Sequence, residues 1–166
     1  MEFEHLTRRP LYDSSPAPGV FDESPGTDWL PTRLVAPIVA VLRRHTTTPA
    51  DCVYGFWHGY GGFPERLRSA PELVLPGRTY YLFSGDLDDA VGVEDRLAHG
   101  GRWRPALWWP EDRAWFLRSD TDLRTTFVAG SPALVAELLA SELEAFDVSP
   151  ETGFAHRGDD VDPAST

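Results

Sequence analysis

The sequence predicts an α+β fold: an antiparallel sheet of about five strands with two main helices packed on one face. Three observations predict it. Apolar residues recur at helical spacing early, at Leu34, Val35, Ile38, Val41 and Leu42, and late, at Leu134, Val135, Leu138 and Leu139. Between them lie strand-like runs joined by short polar loops, the pattern of antiparallel neighbours. The order is helix, strands, short helix, strand meander, helix, which is not the strict alternation of a parallel sheet.

Each element has its own signal. Residues 29–46 read as the first helix, with Asp28 as a cap and Pro37 as a point where it kinks or begins late. Cys52–His58 is aromatic and β-branched, and reads as a strand that ends at the break Gly59–Pro64. Leu73–Leu75 reads as a short strand and Arg78–Phe83 as a longer one with alternating faces. Ser84-Gly85-Asp86 opens a short helix that runs to about Val91. His99-Gly100-Gly101 reads as a loop.

Ala106–Trp109, Arg113–Arg118 and Arg124–Ala129 read as three strands, with turns at Pro110-Glu111-Asp112 and Asp120-Thr121-Asp122. Ser131-Pro132 supplies an N-cap and a first-turn proline for the second helix. Leu143–Val148 reads as an added edge strand.

The chain has 166 residues and reads as one domain over 29–148, between an acidic arm at 1–28 and an acidic tail at 149–166. The formal charge is -11, and it is concentrated at the ends. Residues 1–28 hold six acids and two arginines, while 141–166 hold seven acids and one arginine. Such ends repel phosphate backbones, so no nucleic-acid partner is expected. The apolar run Leu34–Leu42 is too short for a membrane span, and no signal-peptide stretch opens the chain. With a single cysteine, Cys52, these features predict a cytoplasmic protein. Oligomeric state is not fixed by any of them.

All 15 basic residues are arginine, and lysine is absent. That excludes a P-loop lysine and lysine nucleophiles. No G-x-S-x-G frame occurs. Cys52 and His58 on one strand would stand about 20 Å apart, too far to pair. Folding back of the 45–50 loop would instead bring His45 toward the thiol, but nothing in the sequence demands that contact, and Cys52 is expected to be a buried, inert core residue. His45, Cys52 and His58 match no compact zinc spacing. Asp86, Asp88 and Asp89 resemble a cation cluster, but helix capping accounts for them without a ligand. No cofactor and no metal are therefore expected, and no catalytic residue is assigned.

Six tryptophans are the most unusual feature. Trp108 and Trp109 are adjacent, so on a strand they point to opposite faces, one of them into the core. The candidate binding residues are Trp57, His58, Tyr60, Trp108, Trp109 and Arg113. The competing account of the second tryptophan is burial beneath a helix or the N-terminal arm. Two functions follow. The first is a non-enzymatic protein-binding module of immunity, antitoxin or adaptor type. The alternative is a small-molecule or carbohydrate-binding protein, or an enzyme acting on such a ligand, with a Trp/Tyr-lined pocket.

Two stretches carry a resemblance. One is Arg44-His45-Thr46 with Cys52-Val53-Tyr54-Gly55-Phe56-Trp57-His58-Gly59-Tyr60-Gly61. The other is Leu107-Trp108-Trp109-Pro110-Glu111-Asp112-Arg113-Ala114-Trp115, followed by Thr126–Ser131. Together they resemble a family of small uncharacterised actinobacterial proteins over about residues 29–147. The resemblance implies a single domain and brings no activity, cofactor or site residue with it.

Overall fold

A computed structural model describes residues 30–61, 63–92, 103–119 and 125–149. The arm at 1–28, the Asp28 cap, Trp29, the loop at His99, the turn at Asp120-Thr121-Asp122 and the tail from Pro150 lie outside the described residues.

The sheet has six strands: β1 (Cys52–Trp57), β2 (Glu72–Leu75), β3 (Arg78–Gly85), β4 (Leu107–Pro110), β5 (Trp115–Ser119) and β6 (Thr126–Gly130). Their order is β2-β3-β1-β4-β5-β6, and every neighbouring pair is antiparallel. Helix α1 (Thr32–Arg43) precedes the sheet and α2 (Pro132–Ala140) follows it. Short 3-10 turns occupy Glu65–Leu67 and Leu87–Ala90.

The α+β class predicted from the sequence is the observed one. The short run at 72–75 is a full edge strand. Pro76-Gly77 turns it into β3, with Gly77 at φ 78, a backbone that glycine adopts without a Cβ clash. The segment Leu143–Val148 is not a strand. Leu143 packs against the core while Phe146 is exposed, and Glu142, Glu144 and Asp147 keep the segment in water. Helix α1 starts at Thr32, after Pro31, and runs through Pro37. Pro37 is exposed, so the carbonyl left without its helical donor lies on the solvent side of the helix.

Both helices cover the same face of the sheet. Val35, Ile38, Val39, Val41 and Leu42 of α1 and Leu134 and Leu138 of α2 join one buried cluster with Tyr54, Phe56, Tyr81, Trp108, Trp115 and Leu117. Two hydrogen bonds anchor the entry to α1 from the sheet side. The Leu30 amide donates to the Ser119 hydroxyl at 3.0 Å, and the Arg104 guanidinium donates to the Leu30 carbonyl. At the far end, Ser131 caps α2 by accepting from the Leu134 amide at 3.3 Å.

The opposite face carries a second, smaller cluster. Tyr80, Ala106 and Leu107 are buried there, flanked by Trp57, Leu73 and Trp109. Leu107 lies over Gly55, its strand partner, where an added Cβ would stand 3.1 Å from the Leu107 Cβ. The bare backbone of Gly55 is thus what lets Leu107 sink into this face.

Candidate functional site

Strand alternation sorts the aromatic residues by face. Tyr54, paired with Trp108, points to the helix-covered side, and the two rings meet edge to face at 6.0 Å. Trp108 is buried there, and its indole nitrogen donates to the Pro105 carbonyl at 2.9 Å. It therefore lines no surface pocket. Trp109 points the other way and packs on Phe116 of β5 with centroids 5.9 Å apart. Of the adjacent pair, Trp108 supplies the core and Trp109 the second face.

Trp57 shares that outer face with Trp109. Val53 opposes Trp109 and Gly55 opposes Leu107, so the two indoles are offset by four residues, about 13 Å along the strand. Leu107 separates them. Trp57 meets Tyr60 edge to face at 5.6 Å, and the Arg78 guanidinium lies 4.7 Å from its ring. His58 points elsewhere: its ring lies 4.6 Å from Tyr81 and its Nε2 is 3.9 Å from a Glu72 oxygen. The sequence-predicted residues thus fall into separate groups. Trp57 and Tyr60 sit together at the end of β1, His58 packs at a tilt against Tyr81 there, Trp109 stands beyond Leu107, and Trp108 is inside.

No helix among the described residues crosses the outer face. Its strand positions are Leu73 and Leu75 on β2, Arg78, Tyr80, Leu82 and Ser84 on β3, Val53, Gly55 and Trp57 on β1, Leu107 and Trp109 on β4, Phe116 and Arg118 on β5, and Phe127 and Ala129 on β6. None of these is acidic, and two are arginine. Phe116 and Leu75 are each 37% exposed, while Trp57, Leu73, Leu82, Trp109 and Phe127 are half-buried.

Arg113 lies in the loop joining β4 to β5, at φ 55. That loop is pinned to the segment after α1. The Asp112 carboxylate accepts from the Thr46 hydroxyl at 2.9 Å, the Thr47 amide at 2.7 Å, the Thr47 hydroxyl at 2.8 Å and the Ala114 amide at 3.1 Å. Desolvation alone would push this carboxyl up. The donors from Thr47, Ala114 and Thr46 outweigh it and hold it at about 2. Thr46–Thr48 therefore form a cradle for Asp112, which sequence reasoning missed. Three consecutive threonines before a proline were the signal.

The remaining polar groups serve the fold. His45 does not approach Cys52. Its Nε2 lies 2.6 Å from a Glu137 oxygen, and Arg44 Nε reaches the other oxygen at 2.6 Å, which ties α1 to α2. Arg44 first and His45 second hold the Glu137 carboxyl below its usual range. Asp86 caps the turn at Leu87 by accepting from the Asp88 amide, and Asp89 accepts from the Asp86 amide. Arg43 neutralises Asp86 and Asp88. Cys52 is buried, and burial first, then Asp86 and Asp112, pushes its thiol up to about 11. A shallow depression of about 330 Å³ beside it is lined by Ala50, Asp51, Val53, Ser84, Gly85 and Glu111. Among the described residues no group of three or more His, Cys, Asp or Glu is placed to hold a metal, and no helix is long and apolar enough to cross a membrane.

Compared with family models, curated proteins and solved structures, the chain shows no match.

Proposed function

We propose that this chain is a protein-binding module of the immunity, antitoxin or adaptor kind, not an enzyme, and that it meets its partner through the outer face of the sheet. The observation that carries the reading is the composition of that face at its described strand positions: aromatic and aliphatic side chains, most of them half-buried or exposed, two arginines and no carboxylate, in a chain of net charge -11. An apolar surface with a local positive bias suits a partner segment that is itself acidic and apolar. Tryptophan, tyrosine and arginine, all present on this face, are also the side chains that dominate binding energy at interfaces. The same proposal puts the module in the cytoplasm, where a buried unpaired thiol such as Cys52 stays reduced.

A carbohydrate or small-molecule site has one observation in its favour, the Trp57–Tyr60 pair. It is the weaker reading, because Arg78 already lies over the Trp57 ring that a sugar would stack on.

The test uses a random copolymer of glutamate and tyrosine as an acidic, aromatic probe. Titration into the full chain, followed by tryptophan fluorescence, is expected to saturate. Phe116→Glu is expected to abolish the signal while leaving the unfolding midpoint within a few degrees. A copolymer that binds the Phe116→Glu chain as well as the parent rules out the outer face. Saturation by simple sugars, with none by the copolymer, favours the second reading.

A further inference from the structure

We infer that Arg113 is the anchor of this interface, the residue that grips a carboxylate of the partner segment; the inference rests on the protein-binding reading and adds a residue to it. Four observations converge. Arg113 is the one residue other than glycine at positive φ among the described residues. A loop position at φ 55 is met without strain by glycine and with little by asparagine, whereas an arginine Cβ crowds its own carbonyl there. A side chain kept in a conformation it disfavours, at an exposed position, points to a use for that side chain.

The loop around it is rigid for reasons that do not involve the guanidinium. The Asp112 carboxylate is held by Thr46 and Thr47, the Asp112 amide donates to the Thr48 hydroxyl at 3.1 Å, and the Glu111 amide donates to the Asp51 carbonyl at 2.8 Å. The Arg113 amide closes the turn onto the Pro110 carbonyl at 2.9 Å. Arg113 itself makes no side-chain hydrogen bond or ion pair among the described residues. The guanidinium is thus presented from a fixed backbone and spends none of its donors on the described residues.

The same hairpin carries the Trp109–Phe116 pair on its outer face, directly before and after the loop. An aromatic pair with an arginine at the adjoining tip matches a segment that offers an apolar side chain beside a carboxylate. Arginine grips a carboxylate through two parallel N–H donors, a geometry that lysine cannot copy. At 0.15 M salt the screening length is about 8 Å, so carboxylates beyond that distance do not cancel a contact made at the tip; of the two that flank Arg113 in the loop, Glu111 and Asp112, the Asp112 carboxylate is taken up by Thr46, Thr47 and Ala114.

The experiment compares the full chain with Arg113→Gly, Arg113→Lys and Phe116→Ala, each titrated with the glutamate–tyrosine copolymer at 0.15 M salt. Thermal unfolding is measured on the same samples. Arg113→Gly is expected to weaken binding by about tenfold, the scale of an interface anchor, while its Tm stays equal to or above the parent's. Arg113→Lys is expected to recover only part of the affinity. Arg113→Gly binding as tightly as the parent, with Phe116→Ala defective, overturns the role of Arg113 and leaves the protein-binding surface standing. No binding by the parent chain overturns both.

Discussion

The indole nitrogen of Trp115 donates to the Leu42 carbonyl at 3.1 Å, joining the start of β5 to the last turn of α1. The carbonyl also accepts from the His45 amide at 3.0 Å, so the helix end and the sheet meet at one oxygen. Both side chains are among the most completely buried in the protein. Trp115→Phe removes the donor and opens space where the second ring was. A lost buried hydrogen bond with a partly filled cavity is expected to cost about 2–3 kcal/mol. Urea unfolding should show a midpoint lowered accordingly with an unchanged slope. Trp109→Phe, on the half-buried outer face, is expected to cost less than about 1 kcal/mol in the same assay.

The Asp112 cradle makes part of the stability pH-dependent. The carboxyl lies at about 2 in the folded chain, against an ordinary value of 3.8. A depressed folded value means the ionised form is stabilised by folding. Its contribution is therefore complete above the unfolded value and is lost as pH falls through the folded one. Asp112→Ala is expected to lower Tm at pH 6, and the gap between parent and variant is expected to narrow between pH 4 and pH 2. A gap that stays constant over that range would assign the loss to loop geometry and not to the charge.

Cys52 offers a reporter of unfolding. Its thiol is buried and pushed from 9.0 up to about 11, so at pH 8 the folded chain holds about 100-fold less thiolate than an ordinary cysteine would. Alkylation by iodoacetamide is expected to be slower than in urea-unfolded chain by at least that factor. Rapid modification of the native chain would show that the end of β1 opens without global unfolding.

How far these features were legible in the sequence depends on how local their cause is. Ser131-Pro132 and Asp86 are read correctly because a cap is made by residues within three positions of each other. The placement of Trp108 and Trp109 on opposite faces follows from strand alternation alone. The segment at 143–148 misleads because its apolar residues look strand-like, whereas forming a strand requires a free edge and a covered face. The Asp112 cradle joins residues more than 60 positions apart: the threonine run is visible in the sequence, but the carboxylate it holds is not adjacent to it. For the same reason the sequence does not reveal the partner of His45, which is Glu137, 92 positions away. The outer face was visible as alternation but not as a surface. The absence of carboxylates from its described strand positions emerges only once the register sorts each strand by side.

Gly130 is expected to tolerate a side chain poorly, because the atoms that a Cβ would meet belong to the core. It faces Trp115 across the β5–β6 pair, at the point where the chain turns into α2. A Cβ added there would stand 2.5 Å from the Leu134 Cδ2, and 3.3 Å from both the Ala114 carbonyl and the Trp115 Cβ. Leu134 and Trp115 are both fully buried, so neither can move aside without opening the core. Gly130→Ala is therefore expected to cost about 1–3 kcal/mol, the range for overpacking. Gly61 gives the control, since nothing lies within 4 Å of a Cβ built on it. Gly61→Ala is expected to change stability by less than about 0.5 kcal/mol, as substitutions away from packed features do. Urea midpoints of the two variants decide the matter: equal midpoints would show that α2 shifts freely over β6, and that the packing of Leu134 on Gly130 does not fix the helix to the sheet.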